Sequence, residues 1–284
     1  MSGPLVAAVV QLSSQSDVAQ NLARAEHWIA EAARAGARLI ALPENFAFMG
    51  EEDDKRLIAE PLVSPFGPIV TSIARAAQQA GAFVVAGGMP EKSASPARPF
   101  NTSVLFGPDG KIVARYRKLH LFDVDLADGT KLEESRATTA GDPADLSVVA
   151  LTWGDIPQAP GGGLSLGMTI CYDVRFPELY RSLEARGARI VTVPAAFTVT
   201  TGKDHWHVLL RARAIENQLF VLAPAQTGKH PKGRQTYGKS LIVDPWGDVL
   251  AQAGEGEGFA VARLDPAQQE RVRTSLPSLR HKRL

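Results

Sequence analysis

The only cysteine of the chain, Cys171, lies where a buried strand is expected to end. The apolar run 164–170 precedes it, polar residues follow it, and Pro177 is placed to open a helix. Strand ends present side chains at the rim of a sheet and helix N-termini favour anions, so this thiol is a candidate nucleophile. A free cysteine is also commonly a small buried apolar side chain. Taken alone, the residue favours this second interpretation.

Glu44 and Lys118 are the other candidates for chemistry. Glu44 follows the apolar run 39–43, where a carboxylate is costly unless it has partners. It is either half of a structural ion pair or a general base whose pKa desolvation raises towards neutrality. Lys118 lies among apolar and aromatic neighbours, where a lysine either extends to solvent or serves an anion.

These three side chains together would hydrolyse an amide without histidine, metal or cofactor. The Cys171 thiol would attack the carbonyl carbon while Glu44 takes its proton and returns it to the leaving amine. Lys118 and the backbone N–H after the cysteine would stabilise the oxyanion. Water activated by Glu44 would then hydrolyse the thioester.

The elements that must position these residues alternate between strands and helices. Strands are predicted at 5–12, 38–42 and 83–86, and helices from Asp17 to about Ala35 and from Pro68 to Ala80. The tetrapeptide 107–110 predicts a hairpin, and 266–275 a last helix. The stretch 119–160 lacks periodicity, which is common in functional loops. The charge cluster 51–56 is interpreted as a solvated loop or helix start.

Three segments recur in the same order in the second half of the chain. The pairs are 35–46 with 186–197, 83–86 with 220–223, and 103–114 with 240–251. Glu44 has Ala195 as its counterpart, which marks the glutamate as special. The strands are apolar throughout and need cover on both faces. We therefore predict an α/β fold, a four-layer α-β-β-α sandwich with an internal pseudo-two-fold repeat, as a single domain of residues 1–284 with a tail at about 276–284.

Composition narrows the class of protein. Of 284 residues, 31 are Lys or Arg and 30 are Asp or Glu, so no strong field favours a nucleic acid or membrane partner. A single cysteine excludes an intramolecular disulfide and suits a reducing compartment. Neither a signal peptide nor a membrane span is recognised. We expect a cytoplasmic protein.

Three segments carry a family resemblance. Leu42-Pro-Glu-Asn-Phe46, Tyr116-Arg-Lys-Leu-His-Leu-Phe-Asp123 and Gly167-Met-Thr-Ile-Cys-Tyr-Asp-Val-Arg-Phe-Pro-Glu178 resemble, in order, the signatures of the nitrilase superfamily of carbon–nitrogen hydrolases. The resemblance implies the sandwich fold, a homodimer and a catalytic triad of Glu44, Lys118 and Cys171. It also implies a second active-site glutamate, for which Glu134 is preferred over Glu133.

Four longer segments are similar to the Nit branch of amidases, namely 120–125, 171–179, 201–218 and 237–247. They imply a small carboxylated amide as substrate: deaminated glutathione, or alternatively 2-oxoglutaramate or 2-oxosuccinamate, with release of ammonia or an amine. Arg175 either binds a substrate carboxylate or pairs with Asp173 or Glu178. The other residues expected to line the substrate pocket are Tyr172, Phe197, Thr198 and Thr201.

The loop 227–236 bears three cations, Lys229, Lys232 and Arg234. It is either solvated or receives the distant carboxylate of a peptide-like substrate, which favours deaminated glutathione. Two other functions remain open: a Cys–His hydrolase that uses His120, and a catalytically silent binding protein. His205 and His207 are two residues apart on a predicted helix, which is the wrong spacing for a shared metal ion.

Overall fold

Two six-stranded sheets dominate the computed structural model, which describes residues 4–125, 131–152 and 164–283. The strands in this part of the chain are β1 (Leu5–Gln11), β2 (Leu39–Ala41), β3 (Phe83–Glu91), β4 (Phe100–Phe106), β5 (Ile112–Arg117), β6 (Asp123–Asp125), β7 (Lys131–Glu133), β8 (Val148–Ala150), β9 (Ser165–Met168), β10 (Ile190–Thr192), β11 (Phe220–Ala223), β12 (Thr227–Lys229), β13 (Gln235–Tyr237), β14 (Leu241–Val243), β15 (Val249–Gln252) and β16 (Gly258–Leu264). The α-helices are α1 (Val18–Arg34), α2 (Pro68–Ala80), α3 (Glu134–Ala137), α4 (Pro177–Ala185), α5 (Val199–Asn217) and α6 (Pro266–Ser275).

The strand orders confirm the predicted repeat. One sheet runs β16-β1-β2-β3-β4-β5 and the other β15-β14-β11-β10-β9-β8. Parallel strands β1, β2 and β3 correspond to parallel strands β9, β10 and β11. In each sheet an antiparallel hairpin follows, β4–β5 in one and β14–β15 in the other. The two halves of the chain therefore build equivalent half-sheets.

The helices cover the outer faces of the two sheets, as four layers require. Helix α1 starts where the Asp17 side chain accepts a hydrogen bond from the Gln20 N–H, and it buries Leu22 and Ile29. Helix α2 ends at Gly81, whose φ of 54° lies in the left-handed region that glycine tolerates. Helices α4 and α5 pack together, and α5 also contacts β11 of the second sheet.

The inner faces of the sheets meet in a continuous apolar core. Alternation along each strand divides the first sheet: Val9 and Ala41 face the second sheet, whereas Ala8 and Ile40 face α1 and α2. Strand β1 contacts β11 and β14 across the interface. No helix within the described ranges is long and apolar enough to cross a membrane.

Three local features differ from the predictions. A 3₁₀ turn, Cys171–Arg175, separates strand β9 from helix α4. The charge cluster 51–56 forms a 3₁₀ turn over Glu52–Leu57 in which Lys55 is buried. The stretch 119–160, which lacked periodicity, includes β6, β7, α3 and β8 in the portions that are described.

Candidate active site

A cavity of about 580 Å³ opens at the ends of the strands that carry the candidate residues. This volume includes space that is open to solvent. Its wall includes the residues proposed for the triad, for the second glutamate and for the substrate pocket, namely Glu44, Lys118, Glu133, Glu134, Cys171, Tyr172, Arg175, Phe197, Thr198 and Thr201. The fold therefore brings together side chains that are up to 157 residues apart, between Glu44 and Thr201.

Cys171 occupies a strained turn at the base of the cavity. Its φ of 48° lies in the left-handed region, which non-glycine residues adopt mainly where the surroundings hold them there. Its N–H donates to the carbonyl of Pro194 at 2.8 Å, which ties the turn to the end of β10.

Lys118 holds two buried glutamates together. Its Nζ donates to Glu44 Oε1 at 3.0 Å and to Glu134 Oε2 at 2.8 Å, and its side chain is 2% exposed. Glu134 accepts a further bond from the Phe122 N–H at 2.7 Å. Glu133 is exposed on the cavity wall. Glu134 is thus the glutamate that contacts Lys118.

Glu44 is anchored from both sheets. Its Oε1 accepts from Asn101 Nδ2 at 2.9 Å as well as from Lys118, and its Oε2 accepts from the Ala196 N–H at 3.1 Å. Ala196 follows Ala195, the repeat counterpart of Glu44, so the loop equivalent to that of Glu44 supplies a donor to it. The first half of the chain thus supplies the carboxylate, and the equivalent loop of the second half supplies a backbone donor to it.

Asn101 is a site residue that the sequence analysis missed. Its amide donates both to Glu44 Oε1 and to Glu134 Oε1, at 2.9 and 3.3 Å. Gly88 leaves room for it, since a Cβ at residue 88 would lie 2.7 Å from Asn101 Oδ1. Asn101 is the first of three consecutive polar residues in β4, 101–103, so its residue type gave no distinct sequence signal.

Asp173 joins the turn of Cys171 to the segment of Lys118. This buried carboxylate accepts from the Ile170 N–H at 2.8 Å, from Tyr116 Oη at 2.7 Å and from the His120 N–H at 3.1 Å. The His120 ring lies 2.7 Å from Asp173 through Nδ1 and stacks on Phe176. His120 is not part of the cavity wall, so the geometry does not favour the Cys–His alternative.

The pKa of Glu44 is lowered, which corrects the expectation that desolvation would raise it. Burial does oppose ionisation of this carboxyl group, but the positive charges of Lys118 and Lys55 outweigh it. Glu44 is therefore a carboxylate at neutral pH.

Cys171 and Lys118 are both protonated in the resting site, because the pKa of each is raised. Burial and the neighbouring Glu44 carboxylate raise the pKa of the Cys171 thiol well above its usual value, although Lys118 opposes this. Burial disfavours the Lys118 ammonium, but Glu134 and Glu44 raise its pKa well above the usual value. The resting site is a neutral thiol beside a carboxylate and an ammonium group. This arrangement suits proton transfer from Cys171 to Glu44 during attack.

Arg175 forms neither of the ion pairs considered for it. Asp173 is bound by Tyr116 and His120, and the Arg175 guanidinium instead lies 3.4 Å from His205 Nδ1 and over the Phe197 ring. The guanidinium is left on the cavity wall without a carboxylate partner in the described ranges. It is available to an anionic group of a ligand.

The charge cluster 51–56 contributes to the cavity, contrary to its interpretation as a solvated segment. Lys55 Nζ lies 2.6 Å from Glu52 Oε2, and Arg234 Nη1 donates to Glu52 Oε1 at 3.1 Å. All three side chains line the cavity. Lys229 and Lys232, the other cations of the loop 227–236, are exposed. The sequence could not identify this cluster, because its members lie 182 residues apart.

Comparison with known proteins identifies the family of the chain. The model of the carbon-nitrogen hydrolase family matches residues 6–274. The chain belongs to the carbon-nitrogen hydrolase family. This family membership confirms the resemblance noted in the three signature segments.

The relatives of this carbon-nitrogen hydrolase include named amidases. It is 44% identical over 280 residues to the deaminated glutathione amidase of Synechocystis, covering 98% of both chains. The crystal structure of the Caenorhabditis elegans NitFhit protein is similar with a TM-score of 0.85 and 36% identity, over 99% of this chain and 66% of that one. The crystal structure of Saccharomyces cerevisiae Nit3, a member of branch 10 of the nitrilase superfamily, is similar with a TM-score of 0.84 and 32% identity, over 97% and 95% of the two chains.

Proposed function

We propose that this carbon-nitrogen hydrolase is an amidase that cleaves deaminated glutathione through a thioester on Cys171. The observation that carries the proposal is the contact of Lys118 with both Glu44 and Glu134 beside Cys171 in one cavity. The full-length similarity to deaminated glutathione amidases supports the choice of substrate. A catalytically silent binding protein would have no need for this buried charge arrangement, which is costly to desolvate.

The first half of the reaction forms the thioester. Cys171 Sγ attacks the carbonyl carbon of the amide while its proton passes to the Glu44 carboxylate. Lys118 and the Tyr172 N–H stabilise the negative charge on the carbonyl oxygen. The tetrahedral intermediate then breaks its C–N bond, and Glu44 returns the proton to the departing nitrogen. The acyl group remains on Cys171 and the amine leaves.

The second half regenerates the enzyme. Glu44 takes a proton from a water molecule, whose oxygen attacks the thioester carbonyl carbon. The C–S bond breaks and the thiolate recovers the proton from Glu44, so a carboxylic acid leaves. Glu134 keeps Lys118 protonated and in place throughout, because it contributes the nearest negative charge.

Deaminated glutathione carries an oxo group in place of the α-amino group of its glutamyl residue. Its scissile amide joins a 2-oxoglutaryl group to cysteinylglycine. Arg175 has no carboxylate partner in the structure described, and we place the 2-oxo acid carboxylate on its guanidinium. Tyr172, Phe197 and Thr201 line the same cavity and would contact the acyl chain.

Replacement of the nucleophile tests the proposal directly. We expect Cys171→Ala to lower cysteinylglycine release from deaminated glutathione by about a thousandfold or more, since removal of a nucleophile has effects of this size. His120→Ala is the matched control for the Cys–His alternative and should retain turnover. Unchanged turnover in a folded Cys171→Ala variant would refute the mechanism. Circular dichroism of both variants establishes that they are folded.

We also propose that the protein works in the cytoplasm. A lone catalytic thiol must stay reduced, and reducing compartments keep thiols free. Fractionation of cells that express the protein, followed by immunoblotting, tests this location.

A further inference from the structure

Glu52, Lys55 and Arg234 form a charged cluster on the cavity wall that the proposed reaction does not use. The cluster unites the 3₁₀ turn Glu52–Leu57 with the segment that joins β12 to β13. It lines the same cavity as Cys171 but belongs to different elements from Arg175. Arg175 is assigned to the acyl half of the substrate, so this cluster has no role yet in the proposed reaction.

Two cations share a single carboxylate in this cluster. Lys55 Nζ lies 2.6 Å from Glu52 Oε2, and Arg234 Nη1 lies 3.1 Å from Glu52 Oε1. Although burial opposes its ionisation, the charges of Lys55 and Arg234 lower the pKa of Glu52 to about 2, so it is a carboxylate at neutral pH. The three groups together retain a surplus of one positive charge on the wall of the cavity.

Arg234 also has unused hydrogen-bonding capacity. Its Nε is buried and has no hydrogen-bond partner in the described part of the chain. A buried donor without an acceptor is costly, and such groups are often completed by a ligand. The planar guanidinium group suits a carboxylate, which it can bind through two parallel N–H donors.

The segment that carries Arg234 is held firmly against the body of the protein. His230 Nδ1 lies 2.8 Å from the Ser14 carbonyl oxygen, and its Nε2 lies 2.7 Å from the Thr236 hydroxyl. Thr236 in turn forms a β-bridge with Thr198, another residue of the cavity wall. The guanidinium is therefore presented by a fixed segment, which is what a specificity contact needs.

We propose that Arg234, assisted by Lys55, forms a second carboxylate subsite that binds the terminal carboxylate of the leaving group. This inference rests on the proposed function. Arg175 would hold the carboxylate of the acyl group that is transferred to Cys171, and Arg234 the carboxylate of the amine that departs. The enzyme would thereby select amides with an anion at each end over short 2-oxo acid amides, which have only one.

A change in the substrate tests the subsite without disturbing the protein. The wild-type enzyme is assayed with deaminated glutathione and with its glycinamide counterpart, in which a neutral carboxamide replaces the terminal carboxylate. We expect kcat/KM to be about tenfold or more higher for the acid, as one charge-assisted hydrogen bond would give. Equal kcat/KM values for the two substrates would overturn the subsite.

A variant then assigns the effect to Arg234. In Arg234→Gln the ratio of kcat/KM for the acid to that for the glycinamide should fall towards one, because the guanidinium that binds the terminal carboxylate is gone. Lys229→Gln removes an exposed cation from the same hairpin and should keep the wild-type preference. A preference that survives in Arg234→Gln would overturn the assignment. Each ratio is measured within one preparation, so partial unfolding does not change it.

Failure of the proposed function gives a different result. Wild-type protein that releases neither cysteinylglycine from the acid nor cysteinylglycinamide from the glycinamide refutes deaminated glutathione as the substrate, and the subsite falls with it. Wild-type protein that hydrolyses both at equal kcat/KM leaves the amidase standing and refutes only the subsite.

Discussion

Cys171 keeps its proton in the resting site, because burial and the Glu44 carboxylate both raise the pKa of its thiol. A cysteine in such a field is a poor nucleophile until a base removes the proton during attack. The pKa of Glu44 is lowered, so it is a carboxylate at neutral pH, and it lines the same cavity as the thiol, which makes it the candidate for that base. The reactivity of the cysteine should then depend on Glu44.

Alkylation of Cys171 distinguishes this arrangement from a free thiolate. We expect iodoacetamide to label Cys171 in Glu44→Gln about a hundredfold more slowly than in the wild type at neutral pH, the usual size of general-base effects. Mass spectrometry of the labelled protein measures the rate. Simple electrostatics predicts the opposite, since loss of the Glu44 charge would lower the pKa of the thiol and speed labelling.

Glu133→Gln is the matched control for this experiment. Glu133 is an exposed carboxylate on the cavity wall next to Glu134, and its removal should leave the labelling rate close to that of the wild type. Faster labelling in Glu44→Gln than in this control would contradict the general-base role.

At the scale of the elements, the pairing of β3 with β4 determines where Asn101 can lie. Gly88 of β3 forms a β-bridge with Glu44, and a Cβ at this position would lie 2.7 Å from Asn101 Oδ1 and 3.2 Å from Glu44 Cγ. Only a residue without a side chain leaves the Asn101 amide free to bond both Glu44 and Glu134. The glycine thus acts on the site through the packing of two strands.

Gly88→Ala should therefore impair activity more than stability. We expect kcat/KM to fall about tenfold or more because displaced reacting groups cost rates of this order. The free energy of unfolding should fall by about 1–3 kcal/mol, as for other overpacked positions. Steady-state kinetics and thermal melts measure the two effects.

Gly254→Ala serves as the comparison, since nothing lies within 4 Å of a Cβ at residue 254. It should change neither quantity appreciably. Wild-type kcat/KM in Gly88→Ala would show that the contact between Gly88 and Asn101 does not position the glutamates.

At the scale of the whole molecule, a strand from near each end of the chain pairs in the same sheet. Strand β16 pairs with β1 along the full length of both, and it also contacts β14 and β15 of the other sheet. We propose that the chain folds as a single domain. Fluorescence and circular dichroism should then report one coincident unfolding transition on heating. Two separated transitions would indicate that the half-sheets melt independently.

The outer face of α5 is the candidate interface for the homodimer that the family resemblance implies. Val208 and Ile215 lie two turns apart on this helix, and both are exposed, as is Trp246 on the turn between β14 and β15. Gly247 packs against Ile215, so the turn and the helix present one apolar surface. Exposed apolar patches of this kind commonly mark association sites. We propose that a second copy of the chain covers this patch.

Sedimentation equilibrium tests the association. The wild-type protein should sediment at twice the 30.4 kDa mass of the chain, and Val208→Asp should shift it towards the monomer. Val113→Asp, at an exposed valine on β5 of the other sheet, should remain dimeric. A monomeric wild-type protein would contradict the proposal.

Much of this protein could be predicted from its sequence because the informative patterns are local. Apolar runs and helix caps placed α1, α2 and α6 to within a residue or two, and the repeated segments indicated two equivalent half-sheets. The three signature segments singled out Glu44, Lys118 and Cys171. Each signal is carried by residues that are close together in the chain.

What only the tertiary structure decided depends on distances between remote residues. The pKa of Glu44 is lowered because Lys118 and Lys55 lie near it in space, and no local pattern reports that field. Asn101 contacts two glutamates that lie 57 and 33 residues from it in the chain. Arg234 likewise contacts Glu52, which lies 182 residues away in the chain. The sequence specified which groups could react, and the packing of the two sheets determined their charges and partners.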